Sequence, residues 1–308
     1  MIHRSKSKIS CTDLYNFNFS RLHFMNIKKV ALFLCALFAV ILCFSSETIA
    51  AKRMKIKAKS AILINADGNK ILYAKNPDKP MQPASLTKIL SLYIVHEALR
   101  EGKIKPSDMV KINLNAQLTG GSSMFLVDEK EVALEDLIKG MAVVSANDAS
   151  VAVAEHLGGS VSGFVDLMNA KARELKMKRS HFVNPNGLPE KGQVSTARDI
   201  AKLSRAYIHD FPEALQLHSI QEYIYRNITQ RNTNSLLRNC SDVDGLKTGF
   251  VRAAGFHLVA TAKRGNTRLI AVVMGEKNPK IREKETINLL ERGFKMTAAR
   301  SKLSKSLK

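Results

Sequence analysis

MQPASLTKILSLYIVHEALREGK, residues Met81 to Lys103, decides how the rest of the chain must be arranged. Ile89, Leu90, Leu92, Tyr93, Ile94 and Val95 leave almost no polar face, so the segment reads as a helix with structure packed on every side. Pro83 suits the first helical turn, where a missing N–H costs nothing, and Gly102 suits the stop. Ser85 and Lys88 then lie three apart in the first turn, stacked on one face. Free N–H groups and the helix dipole favour negative charge at that end. A nucleophile and a base can meet there.

Working outward, SAILINADGNKILYA (60 to 74) places two β-prone runs around Asp67-Gly68-Asn69 and predicts a hairpin. Residues 104 to 132 are polar and turn-rich, with strand-like pieces MVKINL and SMFLV separated by Gly120-Gly121. Helices follow. Leu134, Leu137, Ile138 and Met141 share one face, as do Phe164, Leu167, Met168, Ala172 and Leu175, and between them DASVAVAEHL is closed by Gly158-Gly159. Asn184-Pro185-Asn186-Gly187 are turn formers within a loop, and Thr196 with Asp199 resembles a capping box that opens a helix ending before Pro212. The β pattern returns in VDGLKTGF, AGFHLVATAKRG and TRLIAVVMGE, with Gly265-Asn266 as a second hairpin turn, and a last amphipathic helix is expected over about 279 to 296. Strands at both ends with helices between them predict an α+β fold, one sheet built from both ends of the chain with a helical lobe inserted.

The chain has 308 residues and a formal charge of +21. Met25 opens MNIKK, followed by an apolar run from Val30 to Phe44 and then SSETIAA, with Thr48 and Ala50 at the small-residue positions of a cleavage site. The run is short for a membrane span, so 25–50 is expected to be a signal peptide and 1–24 a non-structural extension or an over-long gene call. A catalytic unit over 51–298 and a basic tail over 299–308, too short for a membrane-surface helix and expected to fray, complete the division. Cys11, Cys35 and Cys43 fall in the leader, leaving Cys240 alone, so no disulfide is expected within the mature chain. No Cys-x-x-Cys is present, and His96-Glu97 is followed by Arg100 where a zinc helix needs His, so neither metal nor cofactor is expected. An exported basic chain meets cell-wall polymer and anionic lipid before nucleic acid, which is not expected as a partner.

Three motifs occur together. Ser85-x-x-Lys88 alone carries little weight, because Ser5 and Lys8 repeat the spacing in the leader. Ser145-Ala146-Asn147 is the only S-x-N in the chain and Lys247-Thr248-Gly249 the only K-[ST]-G, the first between two helices and the second on a strand before a hairpin. With GSSMFLV, VVSANDASVAVAEHLGGS, MNAKARELKM, HFVNPNGL, VDGLKTGF and RLIAVVMGEK, the chain over residues 58 to 298 resembles the low-molecular-mass penicillin-binding proteins of the serine D-alanyl-D-alanine carboxypeptidase family. The resemblance implies a five-stranded antiparallel sheet flanked by helices with an inserted helical subdomain, the β-lactamase and penicillin-binding protein transpeptidase-like fold. It implies peptidoglycan stem peptides as substrates, β-lactams as inhibitors and a periplasmic or other extracytoplasmic location. Many relatives carry a further β-rich domain and a C-terminal amphipathic anchor after this region, and membrane association is left open.

The chemistry dictates these residue types. Ser85 must attack an amide carbonyl, and a hydroxyl is a poor nucleophile unless a base takes its proton. Lys88 can do so only as the neutral amine, which burial and a nearby cation, Lys247, both favour. By resemblance, Ser145 passes a proton to the leaving amine and Asn147 holds the substrate amide. The backbone N–H groups of Ser85 and Phe250 would meet the oxyanion, while Lys247, Thr248 and Arg282 would bind the terminal carboxylate. Arg282 reads equally as a solvated charge on the last helix, and Asn186 is assigned no role. An endopeptidase cutting D,D cross-links and a non-catalytic penicillin- or wall-binding module are the competing readings. A β-lactamase needs a carboxylate that activates water, and Glu190 is the only acid in the 183 to 194 loop.

Overall fold

The computed structural model describes residues 56–306, with side chains described as far as residue 299; the expected leader and its three cysteines lie outside the described residues. In chain order the elements are β1 (Ser60–Asn65), β2 (Lys70–Lys75), a 3-10 turn (Ala84–Thr87), α1 (Lys88–Arg100), β3 (Met109–Lys111), α2 (Leu114–Gln117) and β4 (Glu131–Ala133). The helical lobe continues with α3 (Leu134–Val143), α4 (Asn147–Gly158), α5 (Val161–Glu174), α6 (Ala197–Asp210) and α7 (Ala214–His218). Then come β5 (Glu222–Tyr225), β6 (Ile228–Arg231), α8 (Leu236–Asn239), β7 (Val243–Val251), β8 (Gly255–Arg264), β9 (Thr267–Glu276) and α9 (Pro279–Ser306).

Both ends of this region meet in one antiparallel sheet of order β2-β1-β9-β8-β7. The Asp67-Gly68-Asn69 turn closes because Asn65 Oδ1 accepts from the N–H groups of Asp67 and Gly68 while Asn69 takes a φ of 50°. β1 then pairs with β9 in the register Ile62↔Val272, which joins the start of the domain to its end. Side chains alternate across a strand. Ile62, Ile64, Ile270, Val272 and Met274 enter the core with α1, whereas Leu63 and Leu269 turn to the other face, where they crowd Gly293 of α9. Covered on both faces, β9 shows no polar alternation, while edge strand β2 stays largely exposed and carries Lys70 and Lys75.

Helix α1 is the hub. Nine of its 13 residues are buried, against α3, α4, α5 and α6, as its all-round apolar sequence demands. Truncating a fully buried leucine such as Leu92 would cost about 2–5 kcal/mol. The stop at Gly102 has a Schellman pattern: Gly102 N–H donates to Leu99 O and Lys103 N–H to Ala98 O, with Gly102 at φ 69°. Tyr93 and His96 of α1 join Tyr207 and Phe211 in an aromatic cluster. Tyr207 donates to His218 Nε2 and His218 Nδ1 donates to Leu246 O, fixing α7 against β7 one residue before Lys247. Burial pushes the His218 ring down to about 3, so it serves there as a neutral strut.

Four local expectations change. The pair expected inside one helical turn is split: Ser85 lies in the 3-10 turn and Lys88 opens α1. SMFLV forms no strand, because the N–H groups of Met124 and Leu126 and the hydroxyl of Ser123 go to the buried Asp148 carboxylate instead of a ladder. Leu167 is exposed although its face-mates Phe164, Met168 and Ala172 are buried, since α5 packs over only part of that face. The last helix does not stop near Met296, and the tail does not leave it; with no Gly or Pro to break it, α9 runs on to Ser306.

Candidate active site

The 3-10 turn at Ala84–Thr87 is held from two sides by glycines. Ala84 takes a left-handed φ of 51°, and a Cβ on Gly187 would fall 1.9 Å from its carbonyl oxygen. A Cβ on Gly249 of β7 would lie 3.2 Å from both Ala84 Cβ and Ser85 N, so a side chain there would crowd the turn that carries Ser85. Ser85 emerges half-buried at the cleft wall.

Lys88 is fully buried beneath it. Its Nζ donates to Asn147 Oδ1 at 2.6 Å and to Asn186 O at 2.7 Å, and lies 3.2 Å from Ser85 Oγ. A neutral amine has two N–H bonds and one lone pair. In that form two fixed acceptors would take the N–H bonds and leave the lone pair for the serine hydroxyl. Burial drives the Lys88 ammonium well below its ordinary value, the charge of Lys247 drives it further, and Asp148 pulls the other way.

Ser145 sits at the α3–α4 junction with a φ of 66°, its buried Oγ without a hydrogen-bond partner in the protein and its residue on the cleft wall. Asn147 is tied on both sides: its N–H donates to Ser122 O at 2.7 Å and its Nδ2 to Gly120 O at 2.7 Å. The Asn147 amide is thereby oriented with Oδ1 toward Lys88. Asp148, fully buried, accepts from Ser123 Oγ, Met124 N and Leu126 N, and so holds the segment 121–127 that forms this rim.

Across the cleft, Thr248 donates to Thr233 Oγ1 at 2.7 Å, and both line the wall. Lys247 does not line it. Its ammonium is buried behind the strand, donating to Thr248 O at 3.2 Å, and burial together with the Arg282 charge lowers it to about 7. Arg282, which the sequence left between a site and a surface role, is only 5% exposed and lies on the cleft wall. Its guanidinium donates to Glu283 Oε1 at 3.0 Å and to His257 O at 3.4 Å, while Nε has no partner in the protein. Phe250 is 54% exposed at the same wall.

The cleft has a volume of about 480 Å³. It gathers Ser85, Ser145, Asn147, Thr248, Gly249, Phe250 and Arg282 on its walls, with Lys88 and Lys247 behind them. Sequence reading missed Asp148, Thr233, Glu283 and Asn186. Asp148 directly follows the S-x-N motif and could have been weighed with it; Asn186 acts through its backbone carbonyl, which leaves no residue-type signal. Glu190 is exposed, accepts from Asn184 Nδ2 and is not on the cleft wall. Among the described residues no group of His, Cys, Asp and Glu could hold a metal ion, and Cys240 is a free, partly buried thiol.

The sequence profile of the D-alanyl-D-alanine carboxypeptidase family, peptidase S11, matches residues 47–278. The D-alanyl-D-alanine carboxypeptidase DacC of Escherichia coli K12 is 42% identical over 247 residues, 78% of this chain and 62% of its own, so the chain spans less than two thirds of that relative's length. The D-alanyl-D-alanine endopeptidase of the same organism is 31% identical over 233 residues, 73% of each chain. Penicillin-binding protein 5 of Haemophilus influenzae superposes with a TM-score of 0.77 at 41% identity, covering 79% of this chain and 72% of that one. The antiparallel sheet with its helical lobe is the penicillin-binding protein fold. Sequence, fold and cleft therefore agree, and the chain belongs to the D-alanyl-D-alanine carboxypeptidase family.

Proposed function

We propose that this chain is a serine DD-carboxypeptidase that removes the terminal D-alanine from peptidoglycan pentapeptides and is acylated by β-lactams at the same serine. The observation that carries the reading is the buried Lys88 Nζ, 2.6 Å from Asn147 Oδ1, 2.7 Å from Asn186 O and 3.2 Å from Ser85 Oγ, so that its neutral form can bond both acceptors and take the serine proton. Ser85 Oγ attacks the penultimate carbonyl as Lys88 takes its proton, and charge on the carbonyl oxygen is met by the N–H groups of Ser85 and Phe250. Ser145 Oγ, unpartnered on the cleft wall, relays a proton to the departing D-alanine nitrogen. Water, deprotonated by the same base, then attacks the acyl-enzyme ester and releases the shortened peptide and free Ser85. Thr248 and Arg282 bind the terminal carboxylate directly, and Lys247 adds its charge from behind the strand.

The competing endopeptidase reading shares every one of these steps and differs in what leaves. The purified chain, given a pentapeptide and a cross-linked dimer side by side, should release D-alanine from the pentapeptide faster. Faster cleavage of the dimer would make it an endopeptidase. Penicillin capture with neither peptide cleaved would make it a binding module. For location, we infer export through the 25–50 signal to the periplasm or another extracytoplasmic space; N-terminal sequencing should begin near Ala51, and an exported chain starting at Met1 or Met25 would overturn it. No helix among the described residues is long and apolar enough to cross a membrane.

A further inference from the structure

The carboxylate-binding end of the cleft carries an apolar surface that the reaction does not use. Phe250 of β7 lies directly opposite Phe256 of β8, and their rings stack with centroids 4.3 Å apart and planes at 28°. Cross-strand partners share a face, which explains the stack. It does not explain the exposure: a ring left 54% open beside charged groups loses most of what burial would contribute, unless something covers it when the site is in use. Both rings lie on the cleft wall with Pro279, Thr248 and Arg282. Thr248 and Phe250, two apart on one strand, point to the same side.

The side chain of the leaving D-residue branches from the carbon that bears its carboxylate. With that carboxylate held by Thr248 and Arg282, the branch falls on the wall these rings share. We propose that the Phe250–Phe256 pair is the specificity surface for the side chain of the leaving D-residue, accepting compact apolar side chains and disfavouring polar ones. The inference rests on the carboxypeptidase reading for which end of the cleft holds the leaving group. It also supplies what charge alone cannot: a cross-linked peptide brings a carboxylate to the same cations, but with a long, polar branch in place of a methyl group.

The test compares acylated peptides ending in D-Ala-D-Leu and D-Ala-D-Asn, whose last side chains match in shape and differ in polarity, so that repulsion by Arg282 and Lys247 is not a variable. Each is assayed for release of the last residue and for competition against acylation by a fluorescent penicillin. The competition ratio reads the surface even where no bond is cleaved, and thereby separates this inference from the carboxypeptidase reading. In the parent, D-Leu should be favoured about tenfold, the scale that a hydrophobic contact supplies. Phe250→Ser should bring the ratio within about twofold whatever it does to the rate of penicillin acylation, because the ratio compares two peptides in the same variant. A parent that does not distinguish the two peptides, or a Phe250→Ser variant that keeps the tenfold ratio, would overturn the proposal.

Discussion

The two ends of the cleft are built on opposite terms. Around the base, the protein supplies the partners: Lys88 has its acceptors in Asn147 and Asn186, Asn147 is fixed by Gly120 and Ser122, and Asp148 ties down the rim. At the carboxylate end, Arg282 Nε is buried without a protein partner, Lys247 makes one long bond, and Phe250 stands open. A buried cation with unused donors is costly unless an anion completes it. The difference teaches how the site divides its work. On the proposed mechanism the base must be tuned before substrate arrives, so its environment is closed; the end with Arg282 and Lys247 is left incomplete, so that a ligand carboxylate would stabilise it on arrival.

The largest effect should come from breaking the closed end. Guanidinium stays protonated and cannot act as a base, so Lys88→Arg should lower penicillin acylation as severely as Lys88→Ala, by about 10³-fold. Appreciable acylation by the Arg variant, followed by stopped-flow fluorescence, would place the base elsewhere.

Arg282→Ala removes the open end's direct cation. Peptide turnover should fall by about tenfold to a hundredfold, the scale of one charge-assisted contact, and by more than penicillin acylation falls. Unchanged peptide turnover would return Arg282 to a structural role and dissolve the contrast between the two ends.

A smaller and sharper effect is expected at Asp148. Its charge favours the protonated form of Lys88, against burial and against Lys247. Asp148→Asn removes that pull, so Lys88 loses its proton at a lower pH and the acid limb of kcat/KM should move to lower pH. Other charged groups near this pair are Lys247 on β7 and, acting through Lys247, Arg282 on α9; neither is altered by the substitution. The variant should also lose about 1–3 kcal/mol of stability from the carboxylate's bonds to the 121–127 segment. A limb that moves to higher pH, or a loss of stability with no movement, would remove Asp148 from the tuning of the base.

How far the sequence carried follows from where each signal resides. Hairpins at Asp67-Gly68-Asn69 and Gly265-Asn266 were legible because turn chemistry is local, and α1 because an all-round apolar helix has to be central. The gathering of Ser85, Asn147 and Thr248 was legible through motifs. SMFLV misled because its apolar residues suggest a strand while a carboxylate more than twenty residues on takes its backbone hydrogens. Arg282 could not be decided, since the packing of α9 on the sheet buries it and nothing within its own helix does. Lys247 was expected both beside Lys88 and at the terminal carboxylate; its charge acts on Lys88, and strand alternation leaves Thr248 on the cleft wall.

The central claim is that Ser85, alone among the cleft hydroxyls, is made nucleophilic by a base tuned in advance. Intact-mass analysis of the penicillin-treated chain, followed by peptide mapping, tests it most directly. A single adduct on Ser85, absent from Ser85→Ala, is the predicted result; an adduct that survives in Ser85→Ala or maps to Ser145 would contradict the account.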